Sequence, residues 1–151
     1  MSDLFTPYKL GPVTLRNRTI RSAAFESMGK NFGPTEQLKE YHVAVARGGI
    51  GMTTLAYAAV CRSGLSFNKQ LWLRPEIVPG LRDITDAIHR EGAAAAIQIG
   101  HCGNMTHWTT AGQMPIGASS GINLYAYTPV RGMRRSEIEQ VARDFGRAVR
   151  T

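Results

Sequence analysis

Apolar and polar positions along the chain switch between a period of about two and a period of about 3.6, and the switches mark out its elements. Tyr8-Lys9-Leu10 and Val13-Thr14-Leu15 flank the turn dipeptide Gly11-Pro12, which predicts an opening hairpin. A buried strand is expected over Thr19 to Ala24, ending in the small residues Ser22-Ala23-Ala24 and then Phe25. Pro34 starts a helix whose Leu38, Tyr41, His42 and Val45 share a face and which Gly48-Gly49 stops, so that His42 reads as an ordinary face residue. Gly51 to Val60 suits a second buried strand, broken by Arg62-Ser63-Gly64. A second helix follows from Glu76 to Glu91, with Leu81, Ile84 and Ile88 inward and Gly92 as its stop.

The stretch Ala93 to Asn104 is an apolar run too short for a core helix, and it opens abruptly into the polar, glycine-spaced Gly-His-Cys-Gly-Asn. That pattern suits a third buried parallel strand. Beyond it a loop from Cys102 to Arg135 holds Trp108, Tyr125 and Tyr127, and loops of such length are commonly functional or disordered. Ser136-Glu137-Ile138-Glu139 predicts a capping box for a last helix that buries Ile138, Val141, Ala142, Phe145 and Val149. Strands alternating with helices define an α/β fold with a parallel sheet and helical crossovers, in which ligands sit at the strand C-termini.

Length and composition refine this picture. With 151 residues, 43% apolar and 19% charged, the chain is expected to form one domain over residues 1–151. Met1-Ser2-Asp3 lacks the features of a signal peptide, and Gln98 interrupts the most apolar stretch before it could span a bilayer, so a cytoplasmic protein without a membrane partner is expected. Cys61 and Cys102 read as reduced thiols, and no ligand spacing supports a metal site. The net charge of +7 comes from arginines scattered singly apart from Arg131, Arg134 and Arg135, which reads as solvated faces rather than a nucleic-acid surface.

Two glycine motifs fail on context. Gly49-Ile50-Gly51 follows a helix and precedes a strand, the reverse of a phosphate-binding turn. Gly117-Ala118-Ser119-Ser120-Gly121 matches the nucleophile elbow of serine hydrolases, yet no strand-to-helix context surrounds it and no histidine follows His107.

A third pattern is extended. Asn17-Arg18-Thr19-Ile20, Ser22-Ala23-Ala24, Gly51 to Val60, Gln98-Ile99-Gly100-His101-Cys102-Gly103, Pro115 with Ala118-Ser119, and Thr128-Pro129 through Glu137-Ile138 occur in one order. In these residues the chain resembles the old yellow enzyme family of FMN-dependent ene-reductases, and within it the NADH:flavin oxidoreductase and 2,4-dienoyl-CoA reductase-like members. The resemblance implies a (β/α)8 TIM barrel, of which this chain would hold the first three βα units behind the N-terminal hairpin. Such a barrel needs ~250 residues, so the sequence reads as a truncated N-terminal portion.

By the same resemblance Ser22, Ala23, Ala24 and Phe25 would lie against the flavin ring, and Gln98 would hydrogen-bond its pyrimidine edge. Tyr57 falls beside the flavin, where the family commonly has a small residue; Asn104 stands where an arginine is common; His101 would order its loop. The implied activity is hydride transfer from NAD(P)H through FMN to an activated alkene, an enone or dienoyl compound, as a small-molecule substrate. No catalytic residue is assigned within the chain, because the family's proton donor, carbonyl ligands and phosphate site come later than Thr151. As an alternative, the chain would be a half-barrel module that assembles as a homo-oligomer or with a complementing chain.

Overall fold

A computed structural model describes residues 3–125 and 127–150; Met1, Ser2, Ala126 and Thr151 lie outside the described residues. The expected hairpin forms from β1 (Tyr8–Leu10) and β2 (Val13–Leu15), paired antiparallel across Gly11. The first parallel strand is shorter than expected: β3 covers only Ile20–Arg21, and Ser22 to Gly29 continue without regular structure. Helix α1 (Glu36–Arg47) begins after Thr35, whose hydroxyl accepts from the Leu38 N–H at 3.2 Å, rather than at Pro34. Its buried row is Leu38, His42 and Ala46. His42 is therefore no ordinary face residue, being fully enclosed.

Strand β4 (Met52–Ala59) is the centre of the sheet, pairing in parallel with β3, with the short β5 (Leu71–Trp72) and with β6 (Ala94–Gly100). Between β5 and β6 runs α2 (Val78–Arg90). Gly80 sits in its first turn because the Pro34 ring packs there, and a Cβ at that position would meet Pro34 Cγ at 2.6 Å.

The long segment after β6 carries structure of its own: a turn of helix α3 (Trp108–Ala111) and the strands β7 (Ile116–Gly117), β8 (Gly121–Asn123) and β9 (Thr128–Gly132), ordered β7-β9-β8. The Gly117 to Gly121 motif thus joins two strands of this small sheet, and the element after Ser119 is the strand β8 rather than a helix. Helix α4 (Arg135–Ala148) starts before the expected capping box. Glu137 reaches back to accept from the Arg134 N–H at 2.7 Å, and Arg131 holds the same carboxylate, with its pKa lowered to about 2 first by that guanidinium and then by the Arg134 N–H. The expected buried face is also displaced: Ile138, Ala142 and Val149 are exposed, whereas Asp144 and Ala148 are buried and Phe145 packs on the core edge. Helix α4 packs against β6.

One core fills the space between sheet and helices. Leu55, Ala58 and Val60 from β4 and its end, Leu38 and Ala46 from α1, and Ile77, Ile84 and Ile88 from α2 and the turn before it pack together. Ala95, Ile97 and Ile99 face this core from β6, so Gln98 and Gly100 belong to the opposite face.

Arg16, just past the hairpin, closes the N-terminal end of the sheet. Its guanidinium donates to Ile50 O at 2.9 Å, to Glu91 O at 2.8 Å and to Ala46 O, so one cation satisfies carbonyls at the C-terminal ends of both α1 and α2. Lysine cannot reproduce this planar fork. Arg16→Lys is expected to lower unfolding free energy by roughly 2–4 kcal/mol, the loss of one or two charge-assisted bonds, measurable by urea denaturation.

Candidate functional site

The C-terminal ends of β3, β4 and β6 converge on one surface, and an irregularity in the central ladder shapes it. Leu55 pairs with Ile97 and Ala58 with Ile99, so Ala56 and Tyr57 together stand opposite the single residue Gln98. This is a β-bulge, and the extra residue resets the alternation: Leu55, then Ala58 and Val60, continue the core-facing row. Tyr57 is thereby turned off that row toward Gly100. A Cβ on Gly100 would lie 3.2 Å from Tyr57 Cδ2, which explains glycine there.

Gln98 is exposed on the face away from the core, and among the described residues its amide has no hydrogen-bonding partner. Ser22 and Ala24 are exposed and Ala23 half-buried in the segment leaving β3. Phe25 stacks on Phe67 with ring centroids 5.1 Å apart and meets the Tyr57 ring at 6.5 Å. The structure thus brings Phe25 and Tyr57 together and sets Gln98 opposite the Tyr57 bulge.

The Tyr57 hydroxyl contacts the Cys102 thiol. Burial, and then the hydrogen bond to Cys102, push the Tyr57 phenol well above its ordinary range, with the Gln70 amide opposing. Gln70 is itself buried and holds the turn before β5 by accepting from the Ser66 N–H at 2.8 Å. His101 performs the ordering role expected of it: Nδ1 accepts from the Gly103 N–H at 3.0 Å, and Nε2 faces Ser63 Oγ at 3.2 Å. Accepting at Nδ1 places the proton of the neutral ring on Nε2. Burial lowers the His101 pKa, against the pull of Asp144, and so favours that neutral ring.

Sequence reasoning missed Glu26, Gln70, Phe67 and the burial of His42. Only Glu26 carried a signal, as an acid directly after an apolar series expected to be buried. Among the described residues no cluster of His, Cys, Asp and Glu is placed to hold a metal ion, and no helix is long and apolar enough to cross a membrane.

Comparison with known proteins agrees with this geometry. The chain is 39% identical over 148 residues to a 4,4'-dithiodibutanoate disulfide reductase of Rhodococcus erythropolis, matching 98% of this chain and 37% of that protein. It is 32% identical over 152 residues to an NADPH dehydrogenase of Listeria welshimeri, matching 98% of this chain and 44% of that protein. Among solved structures, an old yellow enzyme homologue from Zymomonas mobilis superposes with a TM-score of 0.87 at 23% identity over 97% of this chain and 44% of that one. Morphinone reductase in complex with tetrahydroNAD gives 0.87 at 20% identity, over 98% and 45%. The chain therefore spans less than half the length of each of these relatives, and its fold corresponds to the opening βα units of their TIM barrel. The family model for the NADH:flavin oxidoreductase / NADH oxidase family matches residues 3–151, and the chain belongs to that family.

Proposed function

We propose that residues 1–151 are the N-terminal part of a single FMN-binding barrel domain and supply the ring-facing wall of an NAD(P)H-dependent oxidoreductase of the old yellow enzyme type. The observation that carries this reading is Gln98: an amide on an apolar strand, turned away from the core, with no protein partner among the described residues. Such an amide offers two donors and an acceptor, matching the alternating carbonyl and N–H groups of a flavin pyrimidine edge. When bound, FMN would supply hydride transfer from NAD(P)H to an activated alkene.

The chain's own residues bind, orient and shield. Ser22, Ala23 and Ala24 are small enough for a flat ring to approach the backbone. Phe25, stacked on Phe67, would exclude water from one edge, and Tyr57 would border the ring beside Gln98. The substrate is a small molecule, for which we favour enones. The 39% identity to a disulfide reductase raises a second acceptor class, an organic disulfide, which two electrons and two protons would convert to two thiols.

Titration with FMN of a complete barrel that contains these residues, followed by quenching of flavin fluorescence, tests the cofactor assignment. Gln98→Ala is expected to weaken binding by roughly 1–3 kcal/mol, the cost of leaving a buried polar edge unpaired; equal affinity of the two proteins would overturn the role of Gln98. NAD(P)H oxidation with an enone or with 4,4'-dithiodibutanoate as acceptor separates the two substrate classes.

Phe25 has no hydrogen-bond donor where many family members carry threonine or cysteine. In a complete barrel that contains these residues, Phe25→Thr is expected to raise the flavin reduction potential by adding a donor toward the reduced ring. Equilibration with redox dyes measures it, and an unchanged or lowered potential would overturn the prediction.

A further inference from the structure

The segment Ser22 to Gly29 has no regular structure, yet the site needs it held in place. Its anchor is Glu26, whose side chain is 2% exposed. The carboxylate receives the Ala56 N–H at 3.3 Å and 3.2 Å on its two oxygens, Arg21 Nη1 at 3.2 Å, and faces His42 Nε2 at 3.3 Å. His42 is fully buried and closes its other side on Thr53 Oγ1 at 2.8 Å. Arg21 is fixed in turn by Thr54 O at 3.0 Å and the Tyr41 hydroxyl at 3.0 Å.

The position of Ala56 gives these contacts their meaning. Ala56 is one of the two bulge residues and lies past the end of β3, whose pairing with β4 stops at Arg21 and Thr53, so its N–H has no strand partner on that side, and a buried N–H without a partner is costly. Glu26 satisfies it. One residue before Glu26 stands Phe25, and one residue after Ala56 stands Tyr57, so a single carboxylate fixes the roots of both aromatic side chains.

We propose that Glu26 is the positioning residue of the flavin-facing wall, its carboxylate clamping the segment after β3 onto the β4 bulge and so setting Phe25 against Tyr57. The inference takes from the proposed function only that this wall faces a flavin; the clamp itself is a property of the chain. Among the described residues the groups facing the carboxylate are the Arg21 guanidinium from β3 and the His42 ring from α1, with Tyr41 behind Arg21 and Thr53 and Thr54 of β4 beside them. Burial by itself would raise the Glu26 pKa, but the approach of the His42 ring and the hydrogen bond from the Ala56 N–H outweigh it and hold the pKa below the ordinary value. A depressed folded-state pKa means that the clamp is complete above the ordinary carboxylate range and is lost as pH falls through the depressed value.

Cys102 reports on the clamp because its thiol meets the Tyr57 hydroxyl, while Cys61 sits on the separate Ser63–His101 group. Alkylation of both thiols by iodoacetamide, resolved by mass spectrometry, gives their ratio of rates. Glu26→Ala is expected to raise Cys102 labelling relative to Cys61 by roughly tenfold, the scale of effect of unpairing a buried donor. Glu26→Gln, which keeps an acceptor for Ala56 but not the charge, should give a smaller rise and carries the test if the alanine variant fails to fold. Ile84→Val, a core change remote from the clamp, should leave the ratio unchanged.

An unchanged ratio in both Glu26 variants, or a rise of both thiols together, would overturn the proposal; so would a raised ratio in Ile84→Val. In acid, the near-ultraviolet circular dichroism of the aromatic group should fall through a transition that Glu26→Gln lacks, and an identical transition in that variant would overturn the ionic clamp. Weaker FMN binding by Glu26→Gln is a separate arm. If a complete barrel that contains these residues shows no flavin binding at all, the proposed function fails while the thiol ratio still decides the role of Glu26.

Discussion

The pairing of β4 with β6 over two residues on one strand and one on the other is the constraint on which the rest of the site depends. Without the extra residue, strand alternation would place Tyr57 on the row that Leu55 begins, among the helices, and would bring Ala58 out of the core. With it, the core row is completed by small Ala58, and a large aromatic ring is delivered to the opposite face. The cost is local. Past the end of β3 the Ala56 N–H has no strand partner, and the Glu26 carboxylate supplies the acceptor.

The two ends of the sheet are stabilised by opposite charges for one reason. At the N-terminal end of the strands the helices finish, and their free carbonyls collect around the Arg16 guanidinium. Toward the other end, where β3 stops, the Ala56 N–H is left without a strand partner, and the Glu26 carboxylate accepts from it. Each buried ion is surrounded by several hydrogen-bonding partners, the condition under which burying a charge is tolerated. The hairpin before Arg16 and the irregular segment before Glu26 therefore owe their placement to single side chains more than to their own apolar surface. Tyr8, Leu10 and Val13 of the hairpin are all substantially exposed.

Much of the architecture was legible along the chain. The glycines that stop α1 and α2, the apolar runs of β4 and β6, the hairpin around Gly11 and the position of Gln98 on an otherwise apolar strand all follow from periodicity and breaker residues. The order of short motifs pointed to the family that the comparisons establish. The errors have identifiable causes. The strand after Thr19 was overextended because small residues near a buried surface look the same whether they pair in a ladder or merely pass beside one. The spacing of Ser136 to Glu139 fits a cap, but Glu137 is committed to Arg131 and reaches the Arg134 N–H, which moves the helix start upstream.

Local spacing determined which residues are helical, which are extended and where the chain turns, because those choices depend on neighbours within a few positions. The tertiary structure alone decided the bulge, the burial of His42 and the assignment of Glu26. These depend on partners outside the local helix or strand: Thr53 is 11 residues from His42, Ala56 is 30 from Glu26, Gln98 meets Tyr57 from another strand, and Ile50 and Glu91 are 34 and 75 from Arg16. His42 looks the same as any residue of an amphipathic face until Thr53 and Glu26 close around it. A one-residue excess in a parallel ladder leaves no trace in the periodicity of either strand, since it is a property of their register, and register exists only once the two strands have met.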